Sequence, residues 1–101
     1  MNSREIFSKT KFNNNQLTNV LSNTLEVVKD DILIVEESED WLKRNGKPIV
    51  VEYKAFLDDK EEDDEYYGYH YYDLYLDDDR VLNKLKDLQK ELGNDVIIAL
   101  E

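Results

Sequence analysis

The chain has 101 residues, 24 acidic and 13 basic, with a formal net charge of −11, a hydrophobic fraction of 41% and no cysteine. That length makes one domain with a modest core, and the missing cysteine excludes disulfides, thiolate nucleophiles and cysteine metal sites and fits a reducing cytoplasm. The negative charge argues against direct binding to nucleic acid or anionic lipid, which are themselves polyanions, and no apolar run approaches the ~20 residues of a membrane-spanning helix.

Residues 1–12 read as an N-terminal arm, in which Ile6, Phe7 and Phe12 among polar neighbours pin either an arm or one short helix onto the domain. Leu17, Val20, Leu21, Leu25 and Val28 recur at helical spacing, so an amphipathic helix is predicted from 14 or 15 to 29, with Lys29 near the negative end of its dipole. Ile32, Leu33, Ile34 and Val35 form an unalternating apolar run of the kind buried on both faces of a sheet. Residues 38–46 fit two readings. In the preferred one they are a helical hook capped by Ser38 and stopped by Gly46. In the other, Asn45 and Gly46 form a two-residue hairpin turn.

Pro48 opens a second strand over 49–57, in which Ile49, Val51, Tyr53, Ala55 and Leu57 alternate with Val50, Glu52, Lys54 and Phe56. Residues 58–65 are a solvated acidic connector. The tyrosine-rich strand that follows puts Gly68, His70, Tyr72, Leu74 and Leu76 on one face and Tyr67, Tyr69, Tyr71, Asp73, Tyr75 and Asp77 on the other. Asp78 or Asp79 caps a second helix with a stripe of Val81, Leu82, Leu85, Leu88 and Leu92. Gly93 ends it, and 96–100 is a last apolar strand. The predicted class is α+β: a single-domain sandwich of about four strands, built from a central hairpin and a β-α-β crossover, with two main helices on one sheet face.

Charge is concentrated in one place. Between residues 58 and 79 there are eleven acids against Lys60, and six of the seven tyrosines lie in the same stretch, so the rest of the chain is close to neutral. A charge run alone is usually a solvated linker. The adjoining tyrosines shift the weight, because a tyrosine ring offers a rigid contact surface and a neighbouring carboxylate can pair with arginine or lysine on a partner. Each ring has a competing structural use in covering the core.

No glycine-rich phosphate loop, nucleophile elbow or zinc-helix motif occurs. His70, the single histidine, alternates with Tyr72 and Leu74 and reads as packed or surface-lining, not catalytic. The acidic clusters lack the D-x-D-x-D-G spacing of a calcium loop. Neither an enzyme nor a metal or cofactor site is expected, and the natural partner of such a surface is a basic protein. Three readings follow. One is an inhibitor whose carboxylates stand where nucleic-acid phosphates would lie in a nuclease groove. Another is a phage-type nucleic-acid mimic blocking a restriction, CRISPR or nucleoid protein. The last is an adaptor subunit that pairs through a sheet edge.

In size, absence of cysteine, acidity and its carboxylate-tyrosine patch, the chain resembles the small immunity proteins that protect bacteria from their own toxins, including those of contact-dependent growth inhibition, colicin and barstar-like systems. The resemblance implies a cognate tRNA-cleaving or DNA-cleaving toxin, neutralised by a stoichiometric complex in the cytoplasm. On this reading Asp58, Asp59, Glu61, Glu62, Asp63, Asp64 and Glu65 steer the partner, and Tyr67, Tyr69, Tyr71, Asp73, Tyr75 and Asp77 anchor it.

Overall fold

The structure, a computed structural model, describes residues 2–36, 47–58, 65–76 and 79–99. Its elements are β1 (Asn2–Ser8), α1 (Asn14–Leu25), a short 3-10 turn (Lys29–Asp31), β2 (Ile32–Glu36), β3 (Ile49–Phe56), β4 (His70–Leu76), a second 3-10 stretch (Asp79–Lys84), α2 (Leu85–Leu92) and β5 (Val96–Ile98). The strands form one five-stranded sheet in the order β2-β3-β4-β1-β5. Both helices cover the same face. The α+β class and the two-helix layer therefore match the expectation, with five strands in place of about four.

The additional strand is β1. Instead of an arm, residues 2–8 occupy the interior of the sheet, antiparallel to β4 along seven register pairs from Asn2↔Leu76 to Ser8↔His70, and antiparallel to β5 through Ile6↔Ile98, Phe7↔Ile97 and Ser8↔Val96. Ile6 faces the helices and Phe7 the opposite side, and both are buried. Because β1 opposes both β4 and β5, those two strands run parallel, as the β-α-β expectation requires, but with β1 inserted between them.

β2 pairs with β3 in parallel, from Ile32↔Ile49 to Glu36↔Tyr53. Parallel neighbours need a crossover connection; the Asn45–Gly46 hairpin itself falls on residues outside those described. The preferred hook falls there too. β2 is also an edge strand and not one flanked on both sides, so Leu33 and Ile34 are only partly buried.

α1 is shorter than predicted. Asn13 caps it, its side chain accepting from the Gln16 N–H at 3.0 Å. At the other end Glu26 adopts the left-handed conformation (φ 57°, ψ 47°), and the Val27 N–H reaches back to the Ser22 carbonyl at 3.2 Å, closing the last turn in the Schellman manner. Val28 consequently lies off the helix and 64% exposed. The cation at this helix end is Lys84, which contacts the Leu25 carbonyl and pairs with Glu26, and not Lys29.

One continuous core lies between helices and sheet. Leu17, Leu21 and Leu25 of α1 and Leu85 and Leu88 of α2 bury against Ile6, Ile49, Val51, Tyr72, Leu74, Leu76 and Ile98. The inward alternation of β4 was legible in the sequence, and Tyr72, Leu74 and Leu76 are buried as it requires. Tyr72 keeps its hydroxyl satisfied by accepting from the Phe12 N–H at 3.0 Å.

The outer edge of β5 is closed by a side chain. Gln89 on α2 accepts from the Ile98 N–H at 2.7 Å through Oε1 and donates to the Val96 carbonyl through Nε2, reproducing the pairing of a further strand. Gln89→Ala would leave both part-buried groups without these partners, and the expected loss is about 1–3 kcal/mol of stability. Exposure of the edge should also promote self-association. Urea unfolding and sedimentation at increasing concentration read the two effects separately.

Candidate functional site

The sheet face turned away from the helices carries the outward residues of the tyrosine strand. Register brings three carboxylates into one row across it, since Glu5 on β1 pairs with Asp73 on β4, and Asp73 pairs with Glu52 on β3. Directly opposed like charges on neighbouring strands repel. Tyrosine hydroxyls offset part of this. Tyr71 donates to Asp73 Oδ1 at 3.0 Å, and the Tyr75 hydroxyl stands 3.3 Å from both Asp73 Oδ2 and Glu52 Oε1. Glu52 is only 5% exposed and has Lys54 Nζ at 3.7 Å. Burial, followed by the hydrogen bonds to Asp73 and Glu5, pushes the Tyr71 phenol well above its ordinary value, so Tyr71 remains a proton donor to the carboxylates at neutral pH.

The remaining rings fold back onto this face. Tyr66 stacks on Phe7 (centroids 3.9 Å apart, 4° between planes), Phe7 stacks on Tyr71 (5.2 Å, 14°), and Tyr69 meets Tyr66 edge-on at 5.8 Å. Several tyrosines of the predicted strip thus serve the sheet as well as its surface. Tyr69, Tyr71, Asp73 and Tyr75 are half-buried, whereas Tyr67 is 45% exposed at the end of the β3–β4 hairpin, with Asp58 and Glu65 exposed at that same end. The hairpin is closed there by bonds from the Leu57 N–H to the Tyr69 carbonyl and from the Gly68 N–H to the Leu57 carbonyl. Gly68 takes φ +86°, a value that favours glycine at this turn. The predicted residues Asp59, Glu61, Glu62, Asp63, Asp64 and Asp77 lie outside those described.

Glu5 and Glu52 belong to the site and were absent from the sequence-derived set. Nothing near Glu5 in the chain marks it, whereas Glu52 was legible as a strand position alternating with Val51 and Tyr53 but not as a neighbour of Asp73.

The helix-side rim of the same hairpin carries a second aromatic group. A register shift between Tyr53 and Ala55 places Ala55 opposite Tyr71 and Phe56 opposite His70, so the bulge at Lys54 turns Phe56 to the side of Tyr53 and reverses the predicted alternation. The Tyr53 hydroxyl lies 2.9 Å from His70 Nδ1, and the Phe56 and His70 rings are 4.8 Å apart. Lys11 sits 4.5 Å over the Tyr53 ring and pairs with Glu36 at 3.0 Å.

Desolvation, with a smaller contribution from Lys11, lowers the pKa of His70 from its ordinary value of 6.5. The unfolded chain therefore takes up this proton first as pH falls, and stability that is present above about pH 6.5 is lost progressively below it until the folded-state value is passed. Urea midpoints at pH 7.5 and 5.5 should separate less in His70→Asn than in the wild type.

Among the described residues, recesses open on the helix side. One of about 110 Å³ is lined by Lys11, Asn14, Ile34, Val35, Glu36, Tyr53 and Tyr72. Another, of about 290 Å³, lies between the start of α1 and the end of α2, with Phe12, Val20 and Leu92 on its walls. Among the described residues no group of three or more histidine, cysteine, aspartate or glutamate side chains is placed to hold a metal ion, and no helix is long and apolar enough to cross a membrane. In comparisons with known proteins, no family model, no curated protein and no solved structure matches the chain.

Proposed function

We propose that the protein is an inhibitor of the immunity type, which binds and neutralises a basic nuclease, a tRNase or DNase, in the cytoplasm through its acidic, tyrosine-flanked face and the adjoining hairpin end. The observation that carries this reading is the row Glu5, Asp73 and Glu52. Aligned carboxylates repel one another; at Glu52, buried beside Lys54, that repulsion is offset within the sheet, and a guanidinium or ammonium group from a partner would meet the exposed Glu5 and the part-buried Asp73. Tyr71 and Tyr75 hold the carboxylates in fixed positions, which reduces the ordering needed on association. Asp58 and Glu65, exposed at the hairpin end, extend the negative field toward an approaching basic surface.

The test is affinity capture of the tagged protein from its host, with mass spectrometry, beside two variants: one with the acids of 58–65 changed to Asn or Gln, and one carrying Glu5→Gln, Glu52→Gln and Asp73→Asn. Stoichiometric recovery of one basic nuclease, inhibited by the wild type at equimolar concentration and held more weakly by the variants, is the expected result. Recovery of restriction, CRISPR or nucleoid proteins would favour a nucleic-acid mimic instead. Equal capture by all three forms at low salt would remove the acidic surface from the mechanism.

A further inference from the structure

The exposed ring of Phe56 has no role in the core. It is 46% exposed and stands outside the buried cluster, yet a β-bulge aims it at the helix-side rim, beside His70. His70 is in turn fixed by the Tyr53 hydroxyl at 2.9 Å. Bulges that re-aim a side chain recur at working surfaces. Among the described residues the other large exposed apolar side chains are Val28 and Tyr67, and Tyr67 belongs to the same hairpin end.

We propose that the Phe56–His70 ledge is a docking site for an arginine side chain of the basic partner. The proposal rests on the reading of the protein as a ligand of a basic protein, and it adds the chemistry of one contact. A guanidinium is planar and weakly hydrated, stacks on an aromatic face, and still presents N–H donors to a carboxylate beside it. The ledge offers the open Phe56 ring, and the exposed carboxylate of Asp58 follows two residues further along the chain. An ammonium group, compact and strongly hydrated, uses the carboxylate but gains less from the ring. Lys11, which reaches this rim over the Tyr53 ring, is already paired with Glu36. That pairing offsets part of its charge at the rim.

The probes are nona-arginine and nona-lysine, titrated into the isotope-labelled protein and followed by NMR at the Phe56 and His70 rings. Nona-arginine is expected to shift these ring signals saturably, and nona-lysine to shift mainly the backbone of the acidic residues. Phe56→Leu, which keeps the apolar bulk, should weaken local arginine binding about two- to five-fold, as expected for loss of an exposed cation–π contact. Phe56→Trp should retain or strengthen it. Equal ring shifts with the two peptides, or equal binding by the leucine variant, would overturn the docking site. If nona-arginine shifted Glu5, Glu52 and Asp73 but left both rings unmoved, the ledge would fail while the broader reading stood. If neither peptide shifted any residue of the chain, the broader reading would fail with it.

Discussion

Leu74→Ala is expected to lower the free energy of unfolding by about 3–4 kcal/mol, within the span measured for truncating fully buried leucines. Leu74 is 0% exposed at the middle of β4, paired in register with Val51 on one side and Arg4 on the other, and its side chain enters the core between sheet and helices. Its neighbours Val51 and Leu76 are also 0% exposed and Tyr72 is 2% exposed, so the surrounding atoms belong to paired strands and cannot collapse freely into the space left behind. The loss combines the transfer free energy of the missing atoms with the cavity that remains. For a domain of this size, with a total stability of roughly 5–15 kcal/mol, the melting temperature should fall on the order of 15 °C or more. Urea denaturation supplies the measurement. Val28→Ala, at a position 64% exposed, is the companion variant and should stay within about 0.5 kcal/mol of the wild type. A loss below 1 kcal/mol for Leu74→Ala would mean that β4 is not the centre of the core.

The second large effect concerns association. With Glu5→Gln, Glu52→Gln and Asp73→Asn combined, the association rate with the partner recovered by capture is expected to fall about 10- to 100-fold at low ionic strength, since a concentrated field of one sign accelerates encounter by factors of that order. The wild-type rate should drop steeply as sodium chloride is added, and the variant rate should change far less. Stopped-flow measurements across a salt series distinguish this from a folding defect, because a partly unfolded variant would lose active fraction without losing the salt slope. The tyrosine hydroxyls that bond Asp73 and Glu52 retain acceptor oxygens in the amide side chains, so the sheet should survive the substitutions. Identical salt slopes for the two proteins would show that binding does not use this row.

Local periodicity made much of the fold legible. Leu17, Leu21 and Leu25 repeat at the helical period, and Tyr72, Leu74 and Leu76 at the strand period; each set is buried together. The opposite case is β1, where polar residues surround the adjacent Ile6 and Phe7 and no period emerges. Its strand state comes from backbone pairing to segments more than sixty residues away, a long-range cause with no local signature. The bulge at Lys54 has the same origin, in the fit of β3 to β4. The early end of α1 turns on Glu26, a residue type with no special preference for the left-handed conformation it adopts.

The candidate site divides along the same line. The tyrosines and aspartates of β4 were visible because they are neighbours in the chain. Glu5 and Glu52 join them only through register, which depends on how three strands align. Phe56 was visible as a strand residue, but its side of the sheet was not.

The central position of β1 also sets the order in which the molecule can be completed. Its two hydrogen-bonding neighbours are 70–76 and 96–98, so during synthesis the first strand leaves the ribosome long before either partner exists. α1 can form as soon as it emerges, since helical contacts are local, whereas the sheet must wait for nearly the whole of the described chain and then close its longest loops. In that interval Ile6 and Phe7 remain uncovered, in a chain whose negative charge opposes contact between copies. Folding is therefore expected to be slow for a domain of this length, and a stalled nascent chain ending before residue 70 should hold no protected amides in β1.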